Sequence, residues 1–298
     1  MRVLISGAAG FIGSHLVQAL MKMGYEVIAL DIAKNNSNFG RVNADKWIDC
    51  DISKAADMEA LTKDLSFDRV IHLAAIAAPN VAQAHPDLTF TVNVLGTFNV
   101  LKMAKAVGAK RFILASTAHV YGISPKYMPT DETHPIALQD TYTTSKILAE
   151  QLCSLFYTNH NLSYCILRLF NGYGPGQSRG YFIPDMIEKA KTGLIKLKGG
   201  EITKDFVYID DIVDAILKAL ENCYVGPLNV GTGIQTSLDR VAQIIATNFQ
   251  AELVSYTETE DKGPTHMQSD NTRIKSTLNW TPKTTIKDGL ALTIKDVD

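Results

Sequence analysis

Arg2-Val-Leu-Ile-Ser6, Gly7-Ala-Ala-Gly10-Phe11-Ile12-Gly13 and Ser14-His-Leu-Val-Gln-Ala-Leu-Met-Lys-Met23 follow one another at the head of the chain. The first is a short β-branched apolar run, as a buried parallel strand requires. The second is a glycine turn, and the third has helical periodicity. A second apolar run over residues 25–30 then ends in Asp31. Strand, glycine turn, helix, strand and acid, with about 20 residues from glycines to acid, make a dinucleotide-binding fingerprint. Gly7 permits the tight turn, and Gly10 lets backbone N–H groups reach a pyrophosphate at the positive helix end. Gly13 lets the helix lie close on the sheet. Asp31 can accept both ribose hydroxyls and would repel a 2′-phosphate, which favours NAD over NADP.

Working outward, helix and strand patterns alternate. Strands are expected at 46–50, 69–73, 111–115 and 163–169, with helices at 54–65, 87–107 and 140–160. This alternation predicts an α/β fold, a doubly wound, Rossmann-type parallel sheet with helices on both faces. Residues 33–43 read as loop. After Asn171-Gly-Tyr-Gly-Pro-Gly the elements shorten and mix, with helices near 184–191, 210–221, 237–248 and 271–278 and strands near 195–198 and 228–230. The expected division is an NAD-binding domain over 1–170 and a smaller mixed α/β substrate lobe over 171–298. Segments near 205–230 are expected to pack back on the first domain.

The 298 residues, 46% hydrophobic and 20% charged, suffice for a sizeable core. A net charge of −2 gives no support for nucleic-acid or membrane-surface binding. Cys50, Cys153, Cys165 and Cys223 are scattered without a C-x-x-C pair, which suggests free thiols in a reducing compartment. No apolar stretch reaches the ~18 residues of a membrane span, no signal-peptide pattern is seen, and no metal-ligand spacing occurs. A cytoplasmic enzyme without a metal is the expectation.

Tyr142-Thr-Thr-Ser-Lys146 opens the long helix, and a spacing of four puts both side chains on one face. A lysine charge at ~4 Å is worth roughly 4 kcal/mol to a phenolate at an effective dielectric near 20. A tyrosine so tuned can exchange a proton with an alcohol or sugar hydroxyl. Ser116-Thr117-Ala118-His119 follows strand 111–115, where the carboxyl ends of sheet strands line a ligand crevice.

Glycine turn, hydroxyl and Tyr/Lys pair together resemble the extended short-chain dehydrogenase/reductases, the NAD-dependent sugar epimerase/dehydratase family. Thr117, Tyr142 and Lys146 would then be the catalytic set. Gly7, Gly10, Phe11, Ile12, Gly13, Asp31, Asp51, Ile52, Leu73, Ala74, Ala75, Asn93, Ser116, Tyr142, Lys146 and Phe170 would bind NAD. Thr117, Asn171, Tyr181, Phe182, Lys204 and His266 would meet a nucleotide sugar, a UDP-sugar first among the options. The family's diphosphate-binding arginine before Asp205-Phe206 is Lys204 here, and 251–270 contains no arginine, only Lys262 and His266. A lysine keeps the charge without bidentate geometry.

Sugar 4,6-dehydratases of the family carry Asp-Glu after the hydroxyl residue, and its decarboxylases usually keep a glutamate. This chain has Ala118-His119. Missing carboxylates argue against 4,6-dehydration, and a small Ala118 suits a 4-epimerase, in which the sugar must turn over. His119 is either a polar pocket wall or a base for C5 chemistry. The alternatives are a dehydratase, a C5-active epimerase, a keto-sugar reductase or dehydrogenase on the same Thr/Tyr/Lys site, and a catalytically idle NAD sensor. The family often forms homodimers through the two long helices, here 87–107 and 140–160.

Overall fold

The computed structural model describes residues 1–32, 42–122, 124–256 and 266–296. The expected loop at 33–43 and Lys262 therefore lie largely or wholly outside the described residues. Two compact units emerge: Met1–Val120 with Ala137–Arg168 and Val213–Leu228, and Tyr121–Ile136 with Leu169–Ile212 and Asn229–Asp298. A single cut after residue 170 does not describe this division. The 121–136 segment joins the second unit because its polar groups are satisfied there: Asn229 Nδ2 donates to Thr130 O at 2.8 Å, and Glu132 Oε1 accepts from Asn229 N at 2.7 Å.

The first unit is built on a seven-stranded, mostly parallel sheet. Its order is Gly226–Val230, Ser163–Leu169, Arg111–Thr117, Arg69–His72, Arg2–Ser6, Glu26–Asp31, Lys46–Asp49. Arg2–Ser6 pairs in parallel with Glu26–Asp31 on one side and Arg69–His72 on the other. The strand order therefore reverses beside the glycine turn, where doubly wound sheets bind ligands. Val3, Leu4, Ile5, Val27, Leu30, Val70, Ile71 and Phe112 to Leu114 are buried, because helices cover both faces.

Local chemistry sets the helix ends. Helix Phe11–Lys22 stops at Gly24, whose φ of +80° lets its N–H reach Met21 O. Helix Thr141–His160 starts at Asp140, which accepts from Thr143 N at 2.7 Å, and stops at left-handed Asn161. The helix expected over 87–107 is interrupted. Pro86 begins one short helix, Pro86–Phe90, a π turn follows over Thr91–Gly96, and regular helix resumes over Thr97–Ala106. Strand Arg111–Thr117 runs two residues past its expected end, beside the equally long neighbouring strand Ser163–Leu169.

The second unit is made of small pieces. Asn171–Tyr173, expected as part of a glycine-rich connection, is a strand parallel to Phe206–Tyr208. Leu194–Lys198 pairs with Glu252–Tyr256, and Thr203–Lys204 with Thr236–Ser237. Glu252–Tyr256 is mostly solvent-exposed, so it carries no apolar alternation that would mark it in the sequence. Helix Ile286–Lys295 lies beyond the elements expected from the sequence; it begins at Thr285, which accepts from Asp288 N.

Two buried aspartates organise this unit. Asp205 accepts from Thr232 N and Oγ1, Gly233 N, and Ser269 N and Oγ. Asp211 accepts from Lys283 N and Thr284 N, while Trp280 Nε1 donates to Asp211 O at 3.1 Å. Trp280 is wholly buried. Trp280→Ala should therefore lower unfolding stability by about 3–5 kcal/mol in urea titration, whereas Trp280→Phe should recover much of that loss. Equal stability of Trp280→Ala and the parent would mean that Trp280 does not anchor the C-terminal segment.

Candidate functional site

The glycine turn is pressed against the end of strand Arg69–His72. A Cβ on Gly7, whose φ is +75°, would come within 2.6 Å of Ala74 N and 2.8 Å of Leu73 C. One on Gly13 would lie 2.2 Å from Gly7 O. Leu73 N donates to Ser6 O at 3.0 Å, which holds Leu73, Ala74 and Ala75 beside the turn. Helix Phe11–Lys22 has no capping side chain and no acid in its first turn. Its leading N–H groups, at Phe11, Ile12 and Gly13, are thus available to an anion at the positive helix end.

Asp31 is held at the end of its strand by backbone donors that include Ala9 N at 2.9 Å and Ile32 N at 2.8 Å. Asp51 takes Ser53 N and Oγ on one oxygen. Ile52 is fixed by Asn99 Nδ2, which donates to its carbonyl at 2.9 Å, and by Gly96, where a Cβ would come within 2.7 Å of its side chain. An uncapped helix end, a glycine cradle and a pre-positioned acid fit the pyrophosphate and ribose of NAD.

A buried polar chain runs behind this cradle. Thr97 Oγ1 donates to Asn93 O at 2.6 Å, so toward His72 Nε2, at 2.9 Å, it must accept. The His72 proton is therefore assigned to Nε2, and Nδ1 accepts from Ser6 Oγ at 2.5 Å. Asn93, on the π turn, clamps both sides of the neighbouring loop: Oδ1 accepts from Ile76 N and Nδ2 donates to Ile76 O. The same amide donates to Ser145 Oγ at 2.9 Å, and Ser145 Oγ donates to Tyr142 O at 2.7 Å. The loop after His72 and the first turn of helix Thr141–His160 are thus tied together.

Thr117 and Tyr142 are buried, and Lys146 is only 5% exposed. Thr117 Oγ1 accepts from His119 N at 3.2 Å, which leaves its own proton to offer. The edge of the His119 imidazole meets the Tyr142 ring, with centroids 6.3 Å apart and an interplanar angle of 81°. Burial pulls the Lys146 ammonium down to about 8, against an opposing push from Glu150. Ala118 is wholly buried, so the turning room suggested for a sugar beside it is not found at that side chain.

The residues that sequence reasoning missed are Glu150 and Arg168. Arg168 Nη2 and Nε donate to the two oxygens of Glu150 at 2.7 and 3.1 Å, and Ser116 Oγ donates to Glu150 Oε1 at 2.5 Å. Ser116, expected to line the cofactor, thus directs its hydroxyl proton to Glu150. The spacing of four from Lys146 to Glu150 was the available signal.

In the second unit Phe170 is buried and donates its N–H to Val230 O, while Asn171 N donates to Asp205 O. Among the described residues Asn171 Oδ1 is buried without a hydrogen-bond partner, an unsatisfied acceptor at a position expected to face substrate. Tyr181 and Phe182 begin helix Phe182–Lys191, and burial raises the Tyr181 phenol. Lys204 is half-buried, which pulls its ammonium down to about 8. His266 Nδ1 lies 2.7 Å from Thr203 Oγ1, on the residue beside Lys204. Among the described residues no group of His, Cys, Asp or Glu is placed to hold a metal ion.

His72 is held neutral, its value lowered to about 3 by burial and then by Lys146. A folded value below the unfolded ~6.5 gives stability that is complete above pH ~6.5 and is lost as pH falls toward 3. Between pH ~6.5 and ~5 this loss is roughly 2 kcal/mol. Urea unfolding of the parent should therefore weaken by about that much more than unfolding of His72→Gln over this interval. Parallel pH profiles would contradict the assigned tautomer and burial.

Residues 3–231 match the model of the NAD-dependent epimerase/dehydratase family. UDP-glucuronic acid decarboxylase 3 of Arabidopsis thaliana is 33% identical over 309 residues, covering 99% of this chain and 89% of the relative. The crystal structure of a UDP-glucose 4-epimerase with UDP-glucose from Thermotoga maritima superposes with a TM-score of 0.94 at 30% identity, covering 100% and 98% of the two chains. A UDP-glucuronic acid 4-epimerase from Bacillus cereus, solved with UDP-glucuronic acid and NAD, gives 0.90 at 28% identity, covering 100% and 99%. With the NAD-fitting cradle and this likeness along the whole chain, the protein belongs to the NAD-dependent epimerase/dehydratase family of nucleotide-sugar enzymes.

Proposed function

We propose that this chain is a nucleotide-sugar 4-epimerase, with a UDP-sugar as substrate. The observation that carries the reading is that the positions after Thr117 hold no carboxylate and that Glu150, on the Tyr142/Lys146 helix, is engaged elsewhere. Ala118-His119 follows Thr117, and the buried Glu150 is committed to Arg168 and Ser116. Eliminating water across C5–C6 requires an acid and a base in addition to the tyrosine, whereas 4-epimerisation requires one group that takes a proton and returns it.

Tyr142, as phenolate, accepts the proton of the sugar 4-hydroxyl and later gives one back to the same oxygen. Thr117 offers its hydroxyl proton to that oxygen, since its acceptor side is engaged by His119 N. Lys146, charged at neutral pH, stabilises the phenolate from the same helix face. Bound NAD supplies the two-electron acceptor and donor for C4. Asn171, with its unsatisfied Oδ1, and Lys204 are assigned to the substrate.

A second reading, C5 chemistry by His119, is favoured by its edge contact with Tyr142. A panel of UDP-sugars with catalytic NAD, separated by chromatography, distinguishes them. The expected product is an isomer of unchanged mass without lasting NADH, and Tyr142→Phe should reduce turnover at least ~100-fold. A product lighter by water or by carbon dioxide, or NADH accumulating with product, would overturn the 4-epimerase reading.

We also infer a homodimer. Phe90, Leu95, Leu148 and Leu155 are 38–47% exposed on the two long helical stretches, beside a groove lined by Val94, Phe98 and Leu152. Contiguous apolar surface of this kind marks an interaction face. Free thiols at all four cysteines fit a reducing, cytoplasmic setting, and among the described residues no helix is long and apolar enough to cross a membrane. Sedimentation should give a dimer for the parent and a monomer for Leu148→Lys/Leu155→Glu. A monomeric parent would refute the assignment.

A further inference from the structure

We propose that Glu150 is the positioning residue of the Tyr142/Lys146/Thr117 set, supplying the anion that keeps Lys146 protonated and tethering, through Ser116, the strand end that carries Thr117. The proposal rests on the reading above, in which those three residues handle the substrate proton.

Tyr142, Lys146 and Glu150 succeed one another at intervals of four on one helix, so they share a face. Lys146 and Glu150 are 5% and 2% exposed. Water cannot balance either charge at that depth, and a buried charge needs a fixed partner. Glu150 has its own. Arg168 grips both carboxylate oxygens, at 2.7 and 3.1 Å, in the bidentate geometry of a charge-assisted pair.

The neighbours of Lys146 decide what it feels. From strand Arg69–His72 comes His72, held neutral. From its own helix come Tyr142, Glu150 and Cys153, and burial pushes the Cys153 thiol far up, so that it stays protonated. Asn93 and Ser145, on the π turn and the same helix, carry no charge. Glu150 is thus the anion acting on Lys146 among these groups. Its second action is mechanical: Ser116 Oγ, one residue before Thr117, donates to Glu150 Oε1 at 2.5 Å.

The competing explanation is that the Arg168–Glu150 pair merely fills the core. Buried ion pairs can often be replaced by apolar side chains with little loss of stability. Glu150→Leu/Arg168→Met removes both charges and keeps the bulk. Glu150→Gln keeps the shape and one acceptor oxygen while removing the anion and the second Arg168 hydrogen bond, and serves if the double variant fails to fold. The readout is the Lys146 titration by NMR of 13Cε-labelled lysine, assigned by the signal lost in Lys146→Met. NAD affinity by calorimetry across the same pH range is the second measure.

In either variant the Lys146 midpoint should move down by about one pH unit or more, and the high-pH loss of NAD affinity should move with it. The thermal midpoint of the double variant should stay near that of the parent. An unmoved Lys146 midpoint in both variants overturns the proposal. A shifted midpoint with turnover unchanged at every pH supports the role of Glu150 while refuting the proton-transfer reading. An unshifted midpoint together with an inactive Tyr142→Phe does the reverse.

Discussion

An ammonium group at Lys146 with 5% exposure is the constraint around which the first unit is arranged. Desolvation pulls it toward the neutral amine, a form that could not stabilise a phenolate. The surroundings are consistent with keeping it charged. His72 is neutral, Cys153 remains a thiol, and Glu150 is an anion one helical turn away. Adjacent sheet strands deliver Arg168 and Ser116 to that anion, so sheet order and the charge on one helix are parts of a single arrangement.

The polar chain from Ser6 through His72, Thr97 and Asn93 to Ser145 solves a related problem. Close approach of Gly7 to Ala74 demands that the loop after strand Arg69–His72 stay in place. Backbone groups in such a loop have no ladder to satisfy them, and Asn93 provides both a donor and an acceptor to Ile76. Asn93 sits within the π turn over Thr91–Gly96, an irregularity of the kind that frequently accompanies functional sites. The second unit meets the same demand with carboxylates: Asp205 and Asp211 each collect several backbone donors from short, irregular segments.

Legibility followed periodicity. Strands Arg2–Ser6 and Glu26–Asp31 and helix Thr141–His160 bury continuous runs or one broad face, and such patterns survive in the bare sequence. Glu252–Tyr256, mostly exposed, and Asn171–Tyr173, rich in glycine context, are held by partners distant in the chain and carry no comparable signal. The segment 121–136 reads as a continuation of the first domain, yet buried bonds to Asn229 place it in the second unit.

By itself, then, the sequence determined the things that depend on local order: a Rossmann-type sheet, the glycine cradle with Asp31, and the Tyr142–Lys146 face. Each arises from residue type at short, fixed spacing, where backbone geometry allows few outcomes. Only the tertiary structure decided that Glu150 is gripped by Arg168 and Ser116, that His72 holds its proton on Nε2, and that Ala118 is sealed off. Those facts arise from groups brought together across the sheet, 18 to 66 residues apart in sequence, where burial replaces water with whichever partner the fold supplies.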